Sequence, residues 1–369
     1  MIHKYAQIIR VYGYSFNERQ TSPRHKLSRS IMDPLKKIPL VMLLASAFAA
    51  HSNTAWADHG SLGFGIGTAS PIITQTGVTL PKSMWAGGII TQFTRFDSAS
   101  DAKLLDLGNT YGDVHSVKSL LVPSTFAAYG VTDNLTLGIR FAGVLRDGLR
   151  SPSEHGDEVI RMGNPAGFGG VSLFSQYRFF KTADNLNHLS LVVALKTASG
   201  ATHVQGLSHD GERERLETHA QPSGGAWNPA VGFSYTRAMG KVSFDSSILY
   251  TLATKGAQKT DLGDLFDYNA ALSYAFVGMA RNNLFVGSNN SPWTGVLELN
   301  GTWQDRQRTA GITDSNSGSN IVYVSPGIRY SGGKRWNTAL SIGTPIVKDI
   351  SGYQTPPDYR ITYRFVVAF

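Results

Sequence analysis

Residues 359–369 read Tyr359-Arg360-Ile361-Thr362-Tyr363-Arg364-Phe365-Val366-Val367-Ala368-Phe369. Every second residue from Tyr359 to Phe369 is aromatic or branched aliphatic, and Arg360, Thr362 and Arg364 fall between them. Side chains of a strand point alternately to its two faces, so this stretch is a strand with one apolar face and one face carrying two guanidinium groups. Arginines cannot sit unpartnered in a dry core. On a lipid-facing surface near the membrane midplane each would cost about 2–4 kcal/mol. The pattern is met when the apolar face touches lipid and the arginines face a wet interior.

The same alternation recurs upstream. Residues 135–146 set Leu135, Leu137, Ile139, Phe141 and Leu145 against Thr136, Arg140 and Arg146. Residues 171–180 set Val171, Leu173, Tyr177 and Phe179 against Ser172, Gln176 and Arg178, and residues 188–197 set Leu189, Leu191, Val193 and Leu195 against His188, Ser190 and Lys196. Residues 241–252 and 267–277 repeat it, with Ser243, Asp245 and Ser247, then Asn269 and Ser273, on the polar side. Weaker segments at 85–96, 116–130, 229–238, 294–304, 321–330 and 337–346 bring the number to about twelve.

A bilayer leaves unpaired backbone groups without water, so a chain that spans it on strands must close them into a barrel. The connections agree. Six are long and polar (97–115, 147–168, 198–228, 253–266, 305–320 and 347–357), and they alternate with tight ones at 132–134, 181–187, 238–240 and 331–336. Only 278–293 departs from the alternation. Long loops at one end and short turns at the other are the asymmetry of outer-membrane barrels. A soluble sandwich or propeller predicts neither this asymmetry nor a terminal aromatic. The expected fold is all-β, a transmembrane antiparallel up-and-down barrel of about twelve strands over residues 85–369, with both termini periplasmic. The terminal run Tyr363, Phe365, Val367 and Phe369 resembles the signal by which such barrels are recognised by the barrel-assembly machinery.

The N-terminus supplies the address. Lys36 and Lys37 precede the apolar run from Ile38 to Ala50, and Ala55-Trp56-Ala57 places small residues at the positions signal peptidase requires. Thirteen residues are short of the roughly 20 that a helix needs to cross a bilayer. Residues 32–57 are therefore expected to be a signal peptide cut after Ala57. Residues 1–31, upstream of Met32, are expected to be an extension from a start codon assigned too early.

The formal charge of +8 sits largely in that leader. Residues 1–57 hold eight of the 34 Lys and Arg but only two of the 26 acids, which leaves 26 basic and 24 acidic residues, a net +2, in the rest. No nucleic-acid partner is implied. The mean hydropathy of −0.13 is too low for a helical membrane protein, and the absence of cysteine excludes disulfides and thiol-ligated metal.

Residues 58–84 are rich in Gly, Ser and Thr and are expected to lie in the periplasm or inside the lumen. Within them Ser70-Pro71-Ile72, then Thr79-Leu80-Pro81-Lys82 leading into Trp85, resembles the start of mature chains in a family of outer-membrane transporters labelled for the phenol-degradation meta-pathway. The resemblance implies an outer-membrane channel that takes up small hydrophobic or aromatic solutes, and it carries over no binding residues.

The inward face carries whatever selectivity exists. Its ionisable residues are Arg140, Arg178, His188, Lys196, Asp245, Glu298, Arg329, Arg360 and Arg364. A positive excess in a narrow pore favours anions, whereas the same groups joined as ion pairs would hold the barrel shut. The alternatives to a channel are thus a closed structural or surface-interaction barrel and an outer-membrane hydrolase. The hydrolase reading rests on His188-Leu189-Ser190, whose spacing resembles the His-x-Ser of outer-membrane phospholipase A. That enzyme's pair faces lipid, and here both groups are placed on the lumenal face, so no catalytic residue is assigned. His115, His155, His203, His209 and His219 fall in loops, three of them near Asp210, Glu212, Glu214 and Glu217. They are read as solvated loop residues, with no metal and no cofactor expected. Lipid, lipopolysaccharide and a small-molecule solute are the other expected partners.

Overall fold

The computed structural model describes residues 71–276, 293–332 and 335–369. The extension 1–31, the signal peptide with Ala55 and Ala57, residues 58–70 and nearly all of the connection 278–293 lie outside the described residues.

Twelve strands form one closed antiparallel barrel. They are β1 (Trp85–Phe96), β2 (Ser119–Thr132), β3 (Leu135–Asp147), β4 (Ala166–Lys181), β5 (Asn187–Lys196) and β6 (Asn228–Met239). The second half comprises β7 (Val242–Thr251), β8 (Leu265–Ala275), β9 (Trp293–Gln304), β10 (Ser319–Gly332), β11 (Trp336–Ile350) and β12 (Pro357–Ala368). Each strand pairs with its sequence neighbours, and β1 pairs with β12 to close the ring, Ile90 opposite Arg364. Closure satisfies every edge, which in hydrocarbon is obligatory.

The expected faces are the observed ones. Arg364, Val366, Thr362 and Arg360 of β12 are buried while Tyr363 is exposed. Arg140 is buried between exposed Leu137 and Phe141, and Asp245 is buried near exposed Ile248 and Tyr250. Leu173, Val193, Phe233, Leu272, Leu297, Leu340 and Ile342 are likewise exposed around the outside. A contiguous apolar belt of this kind is a lipid-facing surface. Towards the short-turn end it meets aromatic rings. Trp85 and Tyr129 lie 4.7 Å apart, and Trp293, Tyr330, Trp336 and Phe365 follow one another at 4.8, 5.6 and 6.0 Å. Amphipathic rings collect where hydrocarbon gives way to headgroups. The protein is a β-barrel of the bacterial outer membrane. Among the described residues no helix is long and apolar enough to cross a membrane.

The short turns follow local chemistry: Gly240 between β6 and β7 takes φ 69°, a left-handed conformation that glycine adopts without a Cβ penalty. The long connections are more ordered than polar loops need be. The one after β1 contains α1 (Asp101–Tyr111), whose first turn is capped by the Ser100 side chain accepting from the Lys103 amide. The connection after β3 folds as a hairpin, Leu149–Pro152 with Val159–Gly163, and that after β5 as another, Gln205–Leu207 with Arg213–Arg215. Leu149, Met162, Leu216 and Ala220 form a buried apolar cluster between these two connections, and Ala99, Leu104 and Val114 form a second around α1. Period-based reading treats such stretches as loops because each piece is too short to show a period.

Candidate functional site

Residues 71–80, Pro71 to Leu80, are all buried. They lie inside the barrel, and many of their backbone groups are paired with inward side chains of seven strands. Glu298 of β9 accepts from the amides of Ile72 (3.2 Å), Ile73 (3.1 Å) and Thr74 (2.9 Å). Gln75 donates from its amide to Ser247 of β7 and from its side chain to Gln176 of β4. Gln176 in turn donates to the Thr76 carbonyl at 2.7 Å. Thr236 of β6 accepts from the Gly77 amide at 2.8 Å, and Ser190 of β5 donates to the Gly77 carbonyl at 2.7 Å. The Leu80 amide donates to Thr136 of β3, and Thr79 donates to the Asp133 carbonyl in the β2–β3 turn. The segment thus crosses the lumen and leaves at the short-turn end, where the chain enters β1. A strand in the periplasm would have had water for these groups. Inside the barrel they need protein partners, and the serine, threonine, glutamine, glutamate and arginine side chains of the wall supply many of them.

Glycine at position 77 is required by this approach. A Cβ there would lie 2.6 Å from the His188 carbonyl oxygen and 2.9 Å from the Thr236 nitrogen.

The nine ionisable residues expected inside are distributed unevenly. Arg364 donates to the carbonyls of Pro71 (3.2 Å) and Ile72 (3.3 Å), so it and Glu298 hold opposite polarities of the same peptide run. Arg329, on β10, is an electrostatic neighbour of both Asp245 and Glu298. Arg360 donates to Asn300 and stacks over Tyr323 with 4.0 Å between guanidinium carbon and ring centre. Arg140 donates to Ser124. Arg178 donates to the Asp133 carbonyl and to Asn134, lying against His188 at 3.4 Å. Asp245 accepts from Thr236. Lys196 is half-buried near the long-loop end of β5. His188 faces the Asn185 carbonyl at 3.1 Å while Ser190 is turned to Gly77, so the histidine and the hydroxyl of His188-Leu189-Ser190 serve different partners.

Sequence reasoning passed over two parts of the interior. One is the neutral polar set: the alternation puts Thr136, Gln176, Ser190 and Ser247 on the inward faces without counting them among the site residues, and it leaves Thr236 unassigned. The other is apolar: Ile90, Phe126, Phe174, Val192 and Leu249 form one buried cluster with Leu80 on the inner wall. The lumen therefore pairs an apolar patch with a charged side built mainly from β7 to β12, where Asp245, Asp267, Glu298, Arg329, Arg360 and Arg364 reside.

At the long-loop end His115, His209 and His219 converge from two connections, while His155 and His203 stay exposed and apart. Burial, followed by the neighbouring His219, depresses the His115 imidazolium to about 4, so this ring is neutral near pH 7.

A family model described as "Putative MetA-pathway of phenol degradation" matches residues 97–365. No curated protein sequence matches the chain. Among solved structures, the chain is similar to an outer-membrane channel from Pseudomonas putida F1, with 14% identity and a TM-score of 0.51 over 79% of this chain and 97% of that one. It also matches the toluene transporter TbuX of Ralstonia pickettii, with 9% identity and a TM-score of 0.37 over 86% of this chain and 95% of that one. The first of these likenesses is one of fold.

Proposed function

The chain belongs to the family of the MetA-pathway of phenol degradation, and on that premise we propose that it is an outer-membrane channel for the uptake of small hydrophobic or aromatic solutes. The observation that carries the reading is the two-sided interior. Phe126 and Phe174 offer ring surface, and Arg329, Arg360 and the hydroxyl set offer hydrogen bonds to a phenol or carboxylate substituent. Residues 71–80 occupy the lumen, so conduction requires that segment to shift. The same occupancy favours a second reading, a structural barrel whose lumen stays closed. The Ser190 hydroxyl donates to the Gly77 carbonyl and not to His188, which supports transport over hydrolysis at this pair.

The short-turn end is assigned to the periplasm with both termini, and the mature chain to a start at Asp58. Lipopolysaccharide against the outer belt and the barrel-assembly machinery at the last strand complete the proposed partners.

Liposome swelling with sodium benzoate against sodium gluconate tests the function, since charge keeps both anions from leaking through phospholipid. Faster swelling with benzoate is the expected result. No swelling with either, and no conductance in planar bilayers, would leave the closed barrel as the answer. Mass spectrometry of the membrane-resident protein tests the processing, and an N-terminus at residue 1 or 32 would overturn it.

A further inference from the structure

The connection between β1 and β2 and the one between β5 and β6 meet at a cluster of three imidazoles and two carboxylates. His115 and Asp113 follow α1. His209 sits at the tip of the loop hairpin, Glu217 caps the turn Thr218–Ala220 and His219 is its middle residue. The His115 ring is at the centre, with His219 and His209 at 4.8 and 5.4 Å between ring centres. Asp113 Oδ1 lies 3.6 Å from His115 Nδ1 and 3.4 Å from His209 Nε2. Glu217 Oε2 lies 3.2 Å from His219 Nδ1. One donor atom from each of Asp113, His115 and His209 falls within 4.8 Å of the other two, and the same holds for His115, Glu217 and His219.

Two features of this cluster call for a cation. The Nε2 atom of His115 is buried and has no hydrogen-bond partner, although a buried polar atom left unsatisfied costs about 1–3 kcal/mol. The second feature is His209. Its Nδ1 faces the Pro152 carbonyl oxygen at 3.1 Å and Ser151 Oγ at 2.8 Å. With Nδ1 held by the Pro152 carbonyl and Ser151 Oγ, the other ring nitrogen, Nε2, is turned towards the Asp113 carboxylate at 3.4 Å. A backbone carbonyl fixing the far nitrogen of an imidazole is also the arrangement that orients metal-ligating histidines.

We propose that this cluster binds one divalent transition-metal ion of the zinc class, with His115, His209 and His219 as nitrogen donors and Asp113 as the fourth ligand, while Glu217 backs the His219 ring through its Nδ1. Bonds of about 2.0–2.1 Å from a tetrahedral ion would draw the donors together from their present spacing. Three imidazoles select such a metal over calcium or magnesium, which prefer oxygen. Two carboxylates balance its charge. The ion joins the β1–β2 connection to the β5–β6 connection, a junction already tied to the wall by Arg146 of β3, which donates to the Ala220 and Gln221 carbonyls. The site is therefore a clamp on the long-loop end, independent of what passes through the lumen.

The test is calorimetric titration of zinc chloride into chelator-treated, detergent-solubilised barrel, with heat-modifiable gel mobility reporting the fold. The wild type should take up one equivalent. His115→Ala should bind at least roughly tenfold more weakly, and so should His209→Ala, whose ring is partly exposed. His155→Ala and His203→Ala should bind as the wild type does. No zinc uptake by the wild type would overturn the site. So would unchanged affinity in folded His115→Ala or His209→Ala, or calcium displacing zinc at equal concentration.

Discussion

Both carboxylate oxygens of Glu298 accept the backbone N–H of Ile73, each at 3.1 Å, although the two residues stand 225 positions apart in the chain. With Ile72 and Thr74 donating to the same group, one strand residue holds three consecutive peptides of the lumenal segment. Charge-assisted hydrogen bonds are roughly twice as strong as neutral ones. Glu298→Gln keeps the shape and removes the charge, a loss of about 1–2 kcal/mol in segment seating. The mean conductance or open probability in planar bilayers should rise roughly five- to thirtyfold. A folded variant with wild-type conductance would show that Glu298 does not control the segment.

Gly77 gives an independent handle on the same element. A valine there meets backbone atoms of β5 and β6 that cannot yield, a cost of about 1–3 kcal/mol. Because the chain contains no cysteine, Val78→Cys is a single reporter. Its reaction with a membrane-impermeant maleimide should be slow alone and much faster with Gly77→Val added. Equal rates would mean that the segment is not displaced.

Arg360 and Arg364 alternate on one strand but have different partners. Arg364 grips Pro71 and Ile72, whereas Arg360 lies on Tyr323 beside Asn300. Arg364→Ser should raise conductance as Glu298→Gln does. Arg360→Ser in the opened Glu298→Gln background should move the reversal potential under a salt gradient towards cation preference. A conducting double variant with unchanged reversal potential removes Arg360 from selectivity.

The barrel seam ends on a reciprocal pair. The Trp85 amide donates to the Phe369 carbonyl at 2.8 Å and the Phe369 amide to the Trp85 carbonyl at 3.0 Å. Deleting Phe369 removes both bonds, at about 0.5–1.5 kcal/mol each, together with the terminal aromatic. The deletion strain should export the chain but accumulate much less heat-modifiable barrel in the outer membrane. A normal yield would deny Phe369 an assembly role.

What the sequence determined by itself is the face of nearly every barrel residue. Side-chain direction in a strand has a period of two and depends on neighbours alone, so Arg364 could be placed inside and Tyr363 outside from residues 359–369 read in isolation. Closure followed, because a bilayer tolerates no open edge. Strand ends were legible to within a few residues, since loops and strands differ in composition. Which inward groups meet was decided only by the tertiary structure. Glu298 and Ile73, or Asp113 and His209, are brought together by ring closure and by the packing of long connections, and no local period encodes those distances. The order of residues 71–80 has the same origin: a short polar run without alternation has no preferred place until the inner wall offers donors and acceptors to its peptides.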